Sequence, residues 1–122
     1  MNPDAGILFV VTTKFDAMKQ FFLDLGLDVK PDHPAMAQVT PQLNNGRGCL
    51  IMLPSLIISL EESTTVPPSG PLYMQIEKVE EMRLLSLKGK YSMKHVQGGL
   101  YGDNYYAIKS PCGGVIHAVP AQ

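Results

Sequence analysis

The side chains able to do acid–base or metal chemistry are few and scattered. His33, His95 and His117 lie far apart, so the chain holds no His-x-x-His or His-Glu-x-x-His ligand pair. His33, between Asp32 and Pro34, reads as a surface-loop residue, and His95, before a glycine-rich stretch, as an exposed strand end. His117 differs. In Val115-Ile116-His117-Ala118-Val119, a period of two puts Val115, His117 and Val119 on one face and Ile116 and Ala118 on the other. An imidazole framed by valines suits the polar anchor of a small-molecule site. Cys112 lies near His117 in sequence, but an extended segment points the two side chains apart, so they make no nucleophile pair. Glu61-Glu62 and Glu80-Glu81 are adjacent pairs whose members point in different directions, so neither is a catalytic dyad and solvated surface accounts for both. Gly98-Gly99 with Gly102 lacks the Gly-Lys-Ser/Thr and the helix start of a phosphate loop. Tyr101, Tyr105 and Tyr106 cluster near the C-terminus, and alternation sends Tyr105 and Tyr106 to opposite faces, one of them able to stack on a flat ligand.

The elements that hold these residues follow from periodicity. Ile7–Val11 is β-branched and aromatic, a strand. Thr13 with Asp16 fits a helix N-cap, and Phe15, Met18, Phe22 and Leu25 then recur at helical spacing beside Phe21, until Gly26 ends the helix. A strand starts at Leu27-Asp28-Val29; its companion near Ala37–Leu43 is interrupted by prolines and placed at an edge. Asn44–Gly48 is a turn, and Cys49–Leu53 with Leu56–Glu62 a hairpin. The segment 63–71, rich in Ser, Thr and Pro, is a linker. The order then restarts: a strand over Leu72–Glu77, a short helix over Val79–Leu87 with Val79, Met82 and Leu85 inward, a strand near Tyr91–Val96, and a hairpin of Tyr105–Lys109 and Val115–Val119.

Composition excludes several function classes. Ten basic and eleven acidic residues without a Lys/Arg cluster leave no footprint for nucleic acid or for a polybasic membrane anchor. The apolar run Cys49–Leu60 is broken by Pro54-Ser55 and falls short of the ~20 residues a spanning helix needs. No signal-peptide pattern opens the chain, and the two cysteines have unlike settings, Cys49 in an apolar run and Cys112 in an exposed turn. A cytoplasmic protein with reduced thiols is expected.

In Phe21-Phe22-Leu23-Asp24-Leu25-Gly26-Leu27-Asp28-Val29 and in the closing segment Tyr101–Ile116, the chain resembles the vicinal oxygen chelate superfamily, which includes glyoxalase I, bleomycin-resistance proteins and extradiol dioxygenases. Ser110 and Cys112 stand where that family commonly has aspartates, and Gly114 where it has asparagine. The resemblance implies an α+β fold: two βαβββ modules, about 6–62 and 72–119, forming a cupped mixed β-sheet with helices on the outer face, as one domain over 1–122. It also implies a homodimer. Metal-dependent members place His, Gln or Glu on the first and last strands of each module. Counting from the two motifs puts Ile7 and His117 at two of those positions, and strand pattern puts Ser59 and Tyr73 at the others.

Of these, His117 alone is a good metal ligand, and zinc needs three or four N, S or carboxylate donors. The expectation is a protein without metal or other cofactor, holding a small, partly apolar organic ligand in the cup of a homodimer. Its lining is expected from Phe9, Ser59, Glu61, Tyr73, Gln75, Tyr105 and His117. Two alternatives stand beside it. A two-residue slip would bring Glu61 and Gln75 in with His117 as a metal-dependent lyase, isomerase or dioxygenase site. The other is a dimeric structural or regulatory module without catalysis.

Overall fold

A computed structural model describes residues 6–34, 46–62, 72–98 and 104–121. The linker expected over 63–71, the strand near Ala37–Leu43 and Tyr101 lie outside these described residues. The chain divides into two compact units, Met1–Leu23 with Leu27–Gly70, and Asp24–Gly26 with Pro71–Gln122.

The first unit contains β1 (Gly6–Thr12), α1 (Phe15–Asp24), β2 (Asp28–Val29), β3 (His33–Pro34), β4 (Arg47–Met52) and β5 (Leu56–Glu62). Its sheet runs β1-β5-β4-β2, with β3 also pairing β4. The first and last strands are parallel, Gly6 opposite Leu56 through Thr12 opposite Glu62, and the other pairs are antiparallel. Phe15, Met18, Phe21 and Phe22 of α1 are buried, as their spacing requires. So are Val10, Cys49, Ile51, Ile58 and Leu60, which share one sheet face. Lys19 on α1 is near enough to Cys49 to bear on its ionisation, which places the helix on that face. The helix starts one residue later than the Thr13 cap predicts: Lys14 accepts from the Met18 N–H, and its own N–H donates to Thr12 Oγ1 at 2.9 Å. At the far end the Leu27 N–H donates to the Phe22 carbonyl around Gly26, whose φ of 81° suits glycine.

The second unit repeats the order: β6 (Met74–Val79), α2 (Glu81–Ser86), β7 (Met93–Gln97), β8 (Asn104–Lys109) and β9 (Val115–Pro120). Its sheet runs β6-β9-β8-β7, again with first and last strands parallel. Ile76, Ile108, Ile116 and Ala118 are buried on the face where Glu81 of α2 bears on Tyr106. β6 shifts register between Ile76 and Val79, with Lys78 at φ 62°, and the bulge lets both apolar residues bury although they lie three apart. α2 corrects the expected helix face. Met82 and Leu85 are exposed, while Leu84 and Leu87 are buried; two turns carry too few residues for spacing alone to fix the phase. Gly114 is a packing requirement, because a Cβ there would overlap the Leu72 backbone. Among the described residues no helix is long and apolar enough to cross a membrane.

Candidate functional site

On the second sheet, β9 presents His117 to the face opposite α2, as alternation requires. Gln75 stands directly across from it on β6 and Ala107 on β8. Tyr73, Met74, Gln75, Val115 and His117 line a cavity of about 180 Å³. The Tyr105 ring lies against His117, centroids 4.7 Å apart and tilted by 37°. Gln75 Nε2 donates to Glu77 Oε1 at 3.1 Å, which holds the amide on this face. Of the expected lining, Tyr73, Gln75, Tyr105 and His117 are thus brought together here. Met74 and Val115 join them; Val115 shares the His117 face, whereas nothing in the sequence pattern singles out Met74.

On the first sheet the equivalent pair is Phe9 across from Ser59, with Leu50 on the other side of Ser59. Phe9 is exposed, but the polar residues of this face are closed off. Ser59 and Glu61 are both fully buried, and Ser59 Oγ has no hydrogen-bond partner among the described residues. Glu61 lies opposite Gly48, where a Cβ would come within 2.7 Å of Glu61 Oε2 and 2.8 Å of His33 Cε1. The absent side chain at Gly48 is what admits the carboxylate and the imidazole over the strand. His33 Nδ1 donates to the Pro34 carbonyl at 2.7 Å, a tautomer assignment that leaves Nε2 an acceptor, buried and without a partner among the described residues. Such an atom costs about 1–3 kcal/mol unless water or a ligand atom meets it.

Several expectations need correction. The residue facing Ser59 is Phe9 and the one facing His117 is Gln75, so Ile7 and Tyr73 each lie two residues before the paired position on their strands. His33 belongs to a short strand on β4 instead of a surface loop. Glu61 and Glu62 are not a solvated pair: Glu61 is buried, and Glu62 binds Arg47 at 2.8 Å. Arg47 also pairs with Asp16 at 3.0 Å and lies 4.8 Å from the centre of the Phe15 ring, joining α1 to β5. His95 is exposed as expected but lies on the other face, stacked on Tyr106 at 4.3 Å and bonded to Asn104. Cys112 is half-buried, its Sγ 3.1 Å from Ser110 Oγ. Burial pushes the Cys49 thiol up to about 11, so it is an inert core residue.

The donor set does not fit a divalent metal. The opposed residues on the first and last strands are Phe9 with Ser59 and Gln75 with His117. Phenylalanine offers no donor, and a neutral hydroxyl and amide are poor ones for zinc. Among the described residues no three His, Cys, Asp or Glu side chains group as a metal site.

No family model matches the chain. No curated protein matches it in sequence. Solved structures do match in fold. A glyoxalase family protein from Bacillus cereus aligns with a TM-score of 0.67 over 97% of this chain and 93% of its own, at 16% identity. TnmS3, an antibiotic binding protein from Streptomyces sp. CB03234, aligns at 0.65 over 97% of this chain and 95% of its own, at 17% identity. The fosfomycin resistance protein FosX from Mesorhizobium loti aligns at 0.63 over 100% and 94%, at 8% identity. The repeated strand order and these likenesses define the class: the chain has an α+β, glyoxalase-like fold.

Proposed function

We propose that this chain is a metal-free small-molecule-binding protein, active as a homodimer in the cytoplasm, which holds a partly apolar organic ligand against the second sheet. The observation that carries the reading is the cavity lined by Tyr73, Met74, Gln75, Val115 and His117, where apolar walls meet a few polar groups. His117 is the anchor and Tyr105 fixes its ring. Of the other residues expected to line the site, Phe9, Ser59 and Glu61 lie on the first sheet, where Ser59 and Glu61 are buried. The poverty of donors at the opposed strand positions supports binding without a metal, and TnmS3, an antibiotic binding protein, shares the fold. The dimer reading rests on β1, an edge strand with Ile7, Leu8 and Phe9 exposed, since such edges are commonly covered by a second chain.

The test is a thermal-shift screen of aromatic acids, thiol conjugates and hydrophobic antibiotics against wild type and His117→Ala. A cognate ligand should bind the variant more weakly by about 1–3 kcal/mol, the cost of a lost buried hydrogen bond. Hits that stabilise both proteins equally would put the ligand elsewhere. Elemental analysis should find well under one equivalent of Zn, Ni, Mn or Fe, and a stoichiometric metal whose removal by EDTA lowers Tm would overturn the metal-free reading. Light scattering should give twice the 13.3 kDa chain mass, and a monomer at micromolar concentration would remove the dimer.

A further inference from the structure

On the face that carries His117, the strand register leads from the cavity wall to two lysines outside its lining. Across the second sheet one row reads Gln75, His117, Ala107, Lys94, each residue directly opposite the next. In the row beside it Val115, a wall of the cavity, stands opposite Lys109. Lys94 and Lys109 are therefore diagonal neighbours on the cavity's own face, close enough for like charges to repel. Both are exposed, and neither side chain makes an ion pair or hydrogen bond among the described residues. Between Lys94 and His117 lies only the methyl of Ala107, on a strand about 5 Å from each neighbour. The result is a shallow floor about 10 Å long, cationic at one end and bounded at the other by an imidazole against which the Tyr105 ring lies tilted.

The first unit shows that the repeat does not require this charge. Its matching row is Phe9, Ser59, Leu50 and then Lys30, whose N–H donates to the Leu50 carbonyl. There Leu50 fills the place of Ala107, Met52 stands opposite Ile57 where Lys109 stands opposite Val115, and Lys30 is neutralised by Asp28 at 3.0 Å. In the second unit the bulk is removed, a second cation is added and, among the described residues, no carboxylate pairs with either lysine. An exposed pair of cations on an aromatic-flanked floor is complementary to a flat molecule bearing one negative group.

The geometry points to an aromatic carboxylate as the ligand class, its ring over Ala107 against His117 and Tyr105, its acid held by Lys94 and Lys109. This inference rests on the cavity reading and narrows it. Isothermal titration with 1-naphthoate and its neutral isostere 1-naphthamide tests it, on wild type, His117→Ala and the double variant Lys94→Met with Lys109→Met. The acid should bind wild type at least about tenfold tighter than the amide, and the double variant should lose that preference. Raising the salt should weaken the acid and leave the amide unchanged. Equal binding of acid and amide by wild type, with both weakened by His117→Ala, would overturn the anion inference and leave the cavity standing. So would an acid preference that survives in the double variant. Binding of neither probe, or of both unaltered by His117→Ala, would overturn the cavity reading and this inference together. Circular dichroism checks that the variants fold; both lysines are exposed, so unfolding of the double variant would mean they are structural and would count against the proposal.

Discussion

The two units share a strand order and differ at matched positions. Where the second sheet carries His117 facing Gln75, the first carries Ser59 facing Phe9. Ser59 and Glu61 are sealed, whereas His117 and Gln75 border open space. Duplicated topology has thus been put to two uses: one face buries its polar groups, and the other leaves them accessible. The two sheets differ in side-chain volume and charge at a handful of register positions, and also in the extra strand β3 and the bulge of β6.

Glycine substitutions should divide the units most sharply. Gly114→Ala drives a methyl into the Leu72 backbone, which has no room to yield, and should cost about 3 kcal/mol or more in urea unfolding. Gly48→Ala meets only the ends of Glu61 and His33, which can swing aside, and should cost about 1–2 kcal/mol. If the two cost the same, the second unit's hairpin is not pinned by Leu72. Ser59→Ala removes a buried hydroxyl without a described partner and should stabilise by about 1 kcal/mol. A loss of stability instead would mean that water or a ligand satisfies Ser59, making the first face less closed than its burial suggests.

The smallest effect concerns the Arg47 clamp on the first unit. Hydrogen bonds from Arg47 hold Glu62 and Asp16 below the usual carboxylate range. A carboxylate with a depressed folded pKa stabilises above its unfolded value, and that contribution fades as pH falls through the folded one. The Tm of wild type should therefore decline below about pH 4.5, and Arg47→Met should flatten part of that decline. An identical acid profile for the variant would show the clamp to be without weight.

Local pattern was enough to read the strands, the amphipathic α1, its Gly26 stop and the alternation that turns His117 away from Ile116. Periodicity within one segment reports what that segment buries, and those features depend on little else. Register between distant strands is a different kind of information. Ile7 and Tyr73 lie two residues before Phe9 and Gln75, the residues paired with Ser59 and His117, and neither strand alone encodes that pairing. The burial of Glu61 was hidden for a related reason: it depends on a glycine in β4 and a histidine in β3, each harmless by itself. Lys94 and Lys109 come to lie beside Ala107 and Val115 only through cross-strand pairing, which neither segment shows by itself.

The parallel pairing of first and last strand in each unit also governs how the chain can be made. β1 leaves the ribosome first but has its partner only when Leu56–Glu62 follows, and β6 must likewise await Val115–Pro120. Contacts of such long sequence separation form late and slowly, because a large loop must close before any pairing is gained. Until then Ile7, Leu8 and Phe9 are an unpaired apolar strand, the kind of segment chaperones shield and aggregates recruit. Synthesis can nonetheless proceed in two instalments, since the strand order of the first unit is complete at Glu62, before β6 begins. A nascent chain stalled shortly after Glu62 would carry every strand of one sheet and none of the other.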